Sequence, residues 1–194
     1  MKARILEGIL IAAIGLFASC SAARAQDNDN DGCRNATLHG DYAFRISGEV
    51  FVPSSDVPPT PTTEVMVYRD GVAMTHFDGA GKLTQVDFVM GNGQTPSQQL
   101  PPPDPKYVDP ITGFSTGEWG TYEVYPDCTG TATINFPPPL DMKSGNVITL
   151  MFVIANNGHT LHTIVSSLTL FNGHKVFPNI HSDAERLEPI LDRK

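Results

Sequence analysis

Basic residues are scarce in this chain. Its 194 residues hold 13 Lys and Arg against 21 Asp and Glu, a formal net charge of −8. The few cations form no cluster, which argues against nucleic acid and anionic lipid as partners. Cysteine is rarer still, at three residues, too few for a disulfide-dense scaffold or a cysteine-rich metal knuckle. No segment reaches the ~20 apolar residues of a comfortable membrane span. Helical periodicity of useful length is missing beyond residue 25, so an all-β chain is expected. Also missing are a Ser nucleophile elbow, a glycine-rich phosphate loop and a nicotinamide fingerprint. Nucleophilic catalysis therefore has no support, and no cofactor is expected.

What is present begins with an address. Lys2 and Arg4 precede an apolar stretch over 9–17, and Ala23-Arg24-Ala25 offers a small-x-small cleavage site before Gln26. Residues 1–25 thus read as an export signal, leaving a mature chain of about 169 residues, a one-domain length. A rival processing site lies in Phe17-Ala18-Ser19-Cys20, with Cys20 as a lipidated anchor. The product is expected to be periplasmic or secreted, or else tethered through Cys20. Residues 26–32 read as a polar linker and 33–194 as one barrel domain. Within the linker, Asp27-Asn28-Asp29-Asn30-Asp31-Gly32 imitates the opening of a calcium loop. Its twelfth position is Leu38, where a bidentate acid is needed, so a solvated tail is the better reading.

Three tight turns, Asp78-Gly79-Ala80-Gly81, Tyr125-Pro126-Asp127-Cys128-Thr129-Gly130 and Asn156-Asn157-Gly158, each join two strand-like runs. Long proline-rich links over 52–63, 91–110 and 136–145 separate those hairpins. In an antiparallel meander, successive connections fall at opposite ends. Tight turns therefore gather at one end and long loops at the other, giving a plain end and an elaborated mouth. Period-two alternation marks strands over 42–52, up to Phe77, 82–90, 117–124, 131–136, 147–155, 159–169 and 181–187. Asp70-Gly71 reads as a bulge or entry turn in the second of these. Eight antiparallel strands remove their edges by closing on themselves, so an up-and-down barrel is expected, with a β-sandwich as the alternative.

Cys33 precedes the first strand and Cys128 lies in a tight turn, so both fall at the plain end. In an oxidising compartment such a pair forms a disulfide. Cys33 must cross the barrel end to reach Cys128. Seven residues before Gly40 provide roughly 20 Å of reach, so 33–38 should lie as a lid over the plain end. The strand over 147–155 is apolar on both faces, with Val147, Met151 and Val153 on one and Ile148, Leu150, Phe152 and Ile154 on the other. Something is expected to cover its outside, either the C-terminal segment or a second copy.

Three motifs carry a family resemblance: Gly40-Asp41-Tyr42-Ala43-Phe44, Phe77-Asp78-Gly79-Ala80-Gly81 and the run from Gly120-Thr121-Tyr122 through Cys128-Thr129-Gly130. Together they resemble exported bacterial proteins of the allene-oxide-cyclase-like barrels, a calycin-type architecture. The resemblance spans residues 33–188 and implies an eight-stranded barrel with an apolar lumen. It also implies relatives that include plant cyclases associating through their barrel walls, which favours a homo-oligomer here. The matched motifs are turn and core residues, so the resemblance transfers no catalytic residue.

Candidate site residues come from the mouth. Glu118 and Trp119 open the fourth strand there, and His181 and Asp183 open the last. Glu118 shares parity with Gly120, Tyr122 and Val124, which allows an inward carboxylate near the rim. These five residues, Glu118, Trp119, Tyr122, His181 and Asp183, are the ligand-binding candidates. A rim residue paired with Lys or Arg is the plainer reading of Glu118, and a solvated strand start that of His181 and Asp183. His159 and His162 would point to opposite faces of a strand and cannot share a metal. No metal site is expected. Asn35-Ala36-Thr37 matches a glycosylation sequon, which carries little weight behind a bacterial-looking signal. The leading functional expectation is binding of a small apolar or amphipathic molecule in the lumen. The alternatives are a cofactor-independent cyclase or isomerase, and a structural envelope protein with a filled core.

Overall fold

The computed structural model describes residues 32–53 and 64–188. The expected leader, the anchor at Cys20, nearly all of the polar linker and residues 54–63 of the first long loop lie outside the described residues. Nine strands follow in order: β1 (His39–Pro53), β2 (Glu64–Asp78), β3 (Lys82–Gly91), β4 (Ser115–Val124), β5 (Thr129–Asn135), β6 (Val147–Ala155), β7 (Thr160–Thr169), β8 (Lys175–Val176) and β9 (Asn179–Arg186). From β1 to β7 each strand pairs antiparallel with the next, and β9 joins β7 to β1. The two residues of β8 only extend the mouth end of β7. The wall is an eight-stranded, all-antiparallel, closed up-and-down barrel, and the sandwich alternative falls away. Closure removes the edges of the wall itself, while the ends of β1 beyond Glu49 and of β2 before Arg69 form a ladder only with each other.

Local chemistry sets the tight turns. Asp78 Oδ1 accepts from the Ala80 and Lys82 amides at 2.7 and 2.9 Å, and Gly79 and Gly81 take the left-handed conformations that follow (φ 77° and 107°). Asn156 and Asn157 both have φ near +50°, a region Asn tolerates better than most residues. Asp70-Gly71 departs from expectation: it forms neither bulge nor turn. Both neighbours pair with it in unbroken register. Gly71 is needed because β3 approaches closely, so a Cβ there would sit 2.4 Å from Phe88 O.

The plain end is filled. Tyr42, Phe77 and Tyr122 stack edge to face, with centroids 5.2 and 5.0 Å apart. Each tyrosine hydroxyl finds a backbone acceptor, as a buried phenol must. Tyr42 donates to Gly158 O, and Tyr122 to Leu38 O at 3.0 Å. Asn35 Oδ1 accepts from the Val124 amide at 2.8 Å, and Leu38 is wholly buried. The segment from Cys33 to Leu38 therefore lies across this end, fixed by the Cys33–Cys128 disulfide with Cα atoms 4.8 Å apart.

The outer face of β6 is not covered by the described part of the C-terminus. Met151 and Val153 remain 45% and 49% exposed, as does Ile164 beside them on β7 at 49%. Among the described residues no helix is long and apolar enough to cross a membrane.

Candidate functional site

Above the aromatic floor the lumen is open. A cavity of about 280 Å³ runs from Phe77, Leu83 and Phe152 up to the mouth. There it is bordered by prolines of the long loops, Pro96, Pro101, Pro103, Pro137 and Pro138. Those loops are tied to each other: Pro103 pairs with Pro139 and the Leu140 amide donates to Pro102 O at 3.0 Å. Proline lacks an amide donor and holds φ fixed, so these residues give a stiff apolar rim.

The lumen has two unlike walls. Ala132 and Ile134 of β5, Ile148, Leu150 and Phe152 of β6, and Leu161, Val165 and Leu168 of β7 give a mostly apolar side, interrupted by Thr163, whose hydroxyl pairs with that of Ser182 on β9. Opposite them, β2, β3 and β4 place Thr75, Gln85 and Glu118 in one row, because Thr75 pairs with Gln85 and Gln85 with Glu118 across the ladders. Thr75 Oγ1 donates to Gln85 Oε1, and Gln85 Nε2 donates to Glu118 Oε2, both at 2.8 Å. Asp87 follows two residues along β3, past a register shift at which it pairs with Ser115. Nearer the mouth, Arg69 Nη1 donates to Gln99 Oε1 at 2.5 Å, and Gln99 Nε2 to Val89 O at 2.8 Å.

Glu118 is the centre of this wall. It is 1% exposed, and burial together with the Asp87 charge pushes its pKa up to about 10. Asp87, 6% exposed, is raised to about 6 by burial, offset by hydrogen bonds from Glu118 and Ser115 and by the Arg69 charge. Two carboxyls this close in a water-poor space cannot both ionise, so the pair keeps one proton at neutral pH. Glu118 Oε1 receives no hydrogen bond from any ordinary donor. That suits an oxygen carrying the shared proton, with Asp87 as its acceptor.

The five residues expected at the rim separate by parity. Glu118 faces inward, below the rim rather than on it, and its neighbours are carboxyl and amide groups, not Lys or Arg. Tyr122 faces inward as well, but it belongs to the floor, where both its ring and its hydroxyl are engaged. Trp119 stands on the outer wall, 58% exposed. His181 and Asp183 also point outward: His181 Nε2 lies 3.2 Å from Ser47 Oγ, and His162 Nδ1 and Asp183 Oδ1 are 2.7 Å apart. Sequence reasoning missed Thr75, Gln85, Asp87 and Arg69. In β3 the more apolar parity, Val86, Phe88 and Met90, faces out, with Phe88 against Phe114 of the following loop. A usable signal existed nonetheless, since the tight turn at 78–81 locks Gln85 and Asp87 to the inward parity of Leu83.

Comparison with protein-family models, curated proteins and solved structures gives no match to this chain.

Proposed function

We propose that this chain is an exported barrel that binds a small, largely apolar molecule carrying one polar group, held in the lumen. The carrying observation is the two-walled cavity of about 280 Å³. It is shut at the plain end, rimmed by proline at the other, and has the charged side chains of its wall gathered on β2–β4. By the volume share of a water molecule, that is room for roughly nine or ten non-hydrogen atoms. Ligand pockets are mostly apolar with a few convergent polar groups, and this lumen fits that pattern. The disulfide is consistent with an oxidising compartment, and the signal-like residues 1–25 support export. The barrel is also compatible with the allene-oxide-cyclase-like, calycin-type architecture that the turn motifs resemble. Native mass spectrometry of protein purified from its own host tests the reading. A small-molecule adduct lost on gentle activation is expected, and it should disappear when Ile148→Trp fills the lumen. Bare protein that also takes up no apolar probe would overturn the proposal.

A second reading is favoured by one observation, the burial of Glu118 in the lumen, which raises its pKa together with the Asp87 charge. An acid held neutral in an apolar lumen can serve as a general acid, as a cofactor-independent cyclase or isomerase would need. Turnover of a bound substrate that is lost in Glu118→Gln, with binding retained, would select this reading. A structural envelope role expects a filled core, and the open upper lumen weighs against it.

Self-association belongs to the same proposal. Met151, Val153 and Ile164 form an apolar strip on the outer wall, which a second copy would cover. Sedimentation velocity should find a dimer at micromolar concentration, and a monomer would remove this part.

A further inference from the structure

Resting on the lumenal-binding reading, we propose that the polar wall takes a basic nitrogen. The ligand is an amphiphilic amine whose ammonium lies between Glu118 and Asp87, with its hydrocarbon body along the apolar wall of β5–β7.

Three observations lead there. First, Glu118 Oε1 is a buried lumenal oxygen that receives no N–H or hydroxyl hydrogen bond, so only the proton it shares with Asp87 serves it. A buried oxygen of this kind is costly unless a proton reaches it, and a bound donor can take over from the acid proton. Second, the charge around the cavity leans acidic. Its titratable lining groups are Arg69 from β2, Asp87 from β3, Glu118 from β4, and Asp104 and Tyr107 from the mouth loop. The neighbouring strands β5, β6, β7, β9 and β1 add no charge to that lining. Arg69 donates to Gln99 and lends its charge to Asp87, and Lys106 is drawn to Asp104 at 3.1 Å, which leaves Glu118 as the acid without a cation acting on it. A carboxylate ligand would put one more negative group beside Asp87 and Glu118. Third, the proton shared by the two acids stands where a cation would relieve their repulsion.

An ammonium offers three donors and a full positive charge. A hydroxyl offers one donor and no charge, so it would leave the proton in place. Binding is therefore an exchange. The alkylammonium enters, the O–H bond of the Glu118 carboxyl breaks, and its proton leaves to solvent. Both carboxylates are then ionised around the bound cation. No electrons move, and one proton is released for each ammonium bound.

Isothermal titration calorimetry of the full mature protein with octylamine, octanol and octanoate near pH 7.5 tests this. Running it in two buffers of different ionisation enthalpy counts the protons. Octylammonium should bind most tightly and release about one proton, as the linkage between the pair and the cation requires. Glu118→Gln should weaken it by roughly tenfold or more, the loss expected for removing a buried charge partner, and abolish the release. Asp87→Asn should also weaken octylammonium, by removing the second carboxylate, while the proton of buried Glu118 is still released, and it serves if the first variant folds poorly. The proton count on the unmutated protein needs neither variant. Tighter binding of octanol or octanoate, or octylammonium binding without proton release, would overturn the amine proposal while leaving lumenal binding intact. Failure of all three probes to bind would overturn both.

Discussion

Replacing Glu118 by Gln should remove most of the pH dependence of stability above about pH 6. In the unfolded chain this carboxyl ionises near its ordinary value of 4.5, whereas in the barrel it holds its proton up to about 10. Between those limits the folded state binds one more proton than the unfolded state. Stability is then fully present at low pH and declines as pH rises, by ~1.4 kcal/mol per unit. Asp87, raised to about 6, adds a second slope of the same sign that ends near that pH, so the useful window lies above it. From about pH 6.5 to 8.5 the Glu118 proton alone amounts to roughly 2.7 kcal/mol. For a domain of this size that is roughly 5–10 °C in melting temperature. Gln is close to an isostere for the neutral acid: its oxygen can accept from Gln85 Nε2, and its amide can donate to Asp87. The variant should therefore fold, show a shallower slope and exceed the unmutated protein in stability at the alkaline end. Urea unfolding with the disulfide intact, at three pH values for both proteins, supplies the difference curve, from which exposed titrating groups cancel. Parallel curves would show that Glu118 is ionised in the folded protein, and the shared-proton description of the wall would fail.

Three further outcomes are expected. Replacing Cys33 and Cys128 by Ala opens a loop with a sequence separation of 95 and should cost ~4–5 kcal/mol in the chain-entropy model. An unchanged urea midpoint would mean that the lid is held by packing alone. Tyr42→Phe leaves Gly158 O buried without its donor and should destabilise by ~1–3 kcal/mol, read by thermal melting, whereas no loss would mean that water reaches the plain end. Trp119→Ala should change stability by no more than about 0.5 kcal/mol and leave lumenal binding unaltered, because the ring lies on the outer wall. A drop in probe affinity would place the binding surface outside the barrel.

The order and spacing of turns were enough to read the architecture from the sequence. Short and long links alternate, and an antiparallel meander converts that alternation directly into two different ends. The same logic put Cys33 and Cys128 together, because each lies at the tight-turn end of its strand whatever the side chains do. The bounds of β6 were legible because an apolar run on both faces begins and ends sharply at Val147 and Ala155. The inward direction of Glu118 was legible too, through its parity with Tyr122.

Tertiary structure decided what surrounds that carboxyl. Thr75, Gln85 and Glu118 come from three different strands, and only the register of two ladders sets them side by side. A shift of one residue would turn each of them outward. β3 shows why local pattern was not enough: its more apolar parity faces outward, with Phe88 against Phe114, while Gln85 and Asp87 face the lumen. Hydrophobicity along a strand reports burial on either face, not which face is the inside. Whether an acid keeps its proton depends on solvent exclusion and on a second charge nearby, and both arise only when distant segments close around it. The sequence alone therefore determined the barrel, its two ends and the bond that pins the lid. The chemistry of the lumen belongs to the closed wall, because pairing between strands, rather than order along the chain, brings the acids together.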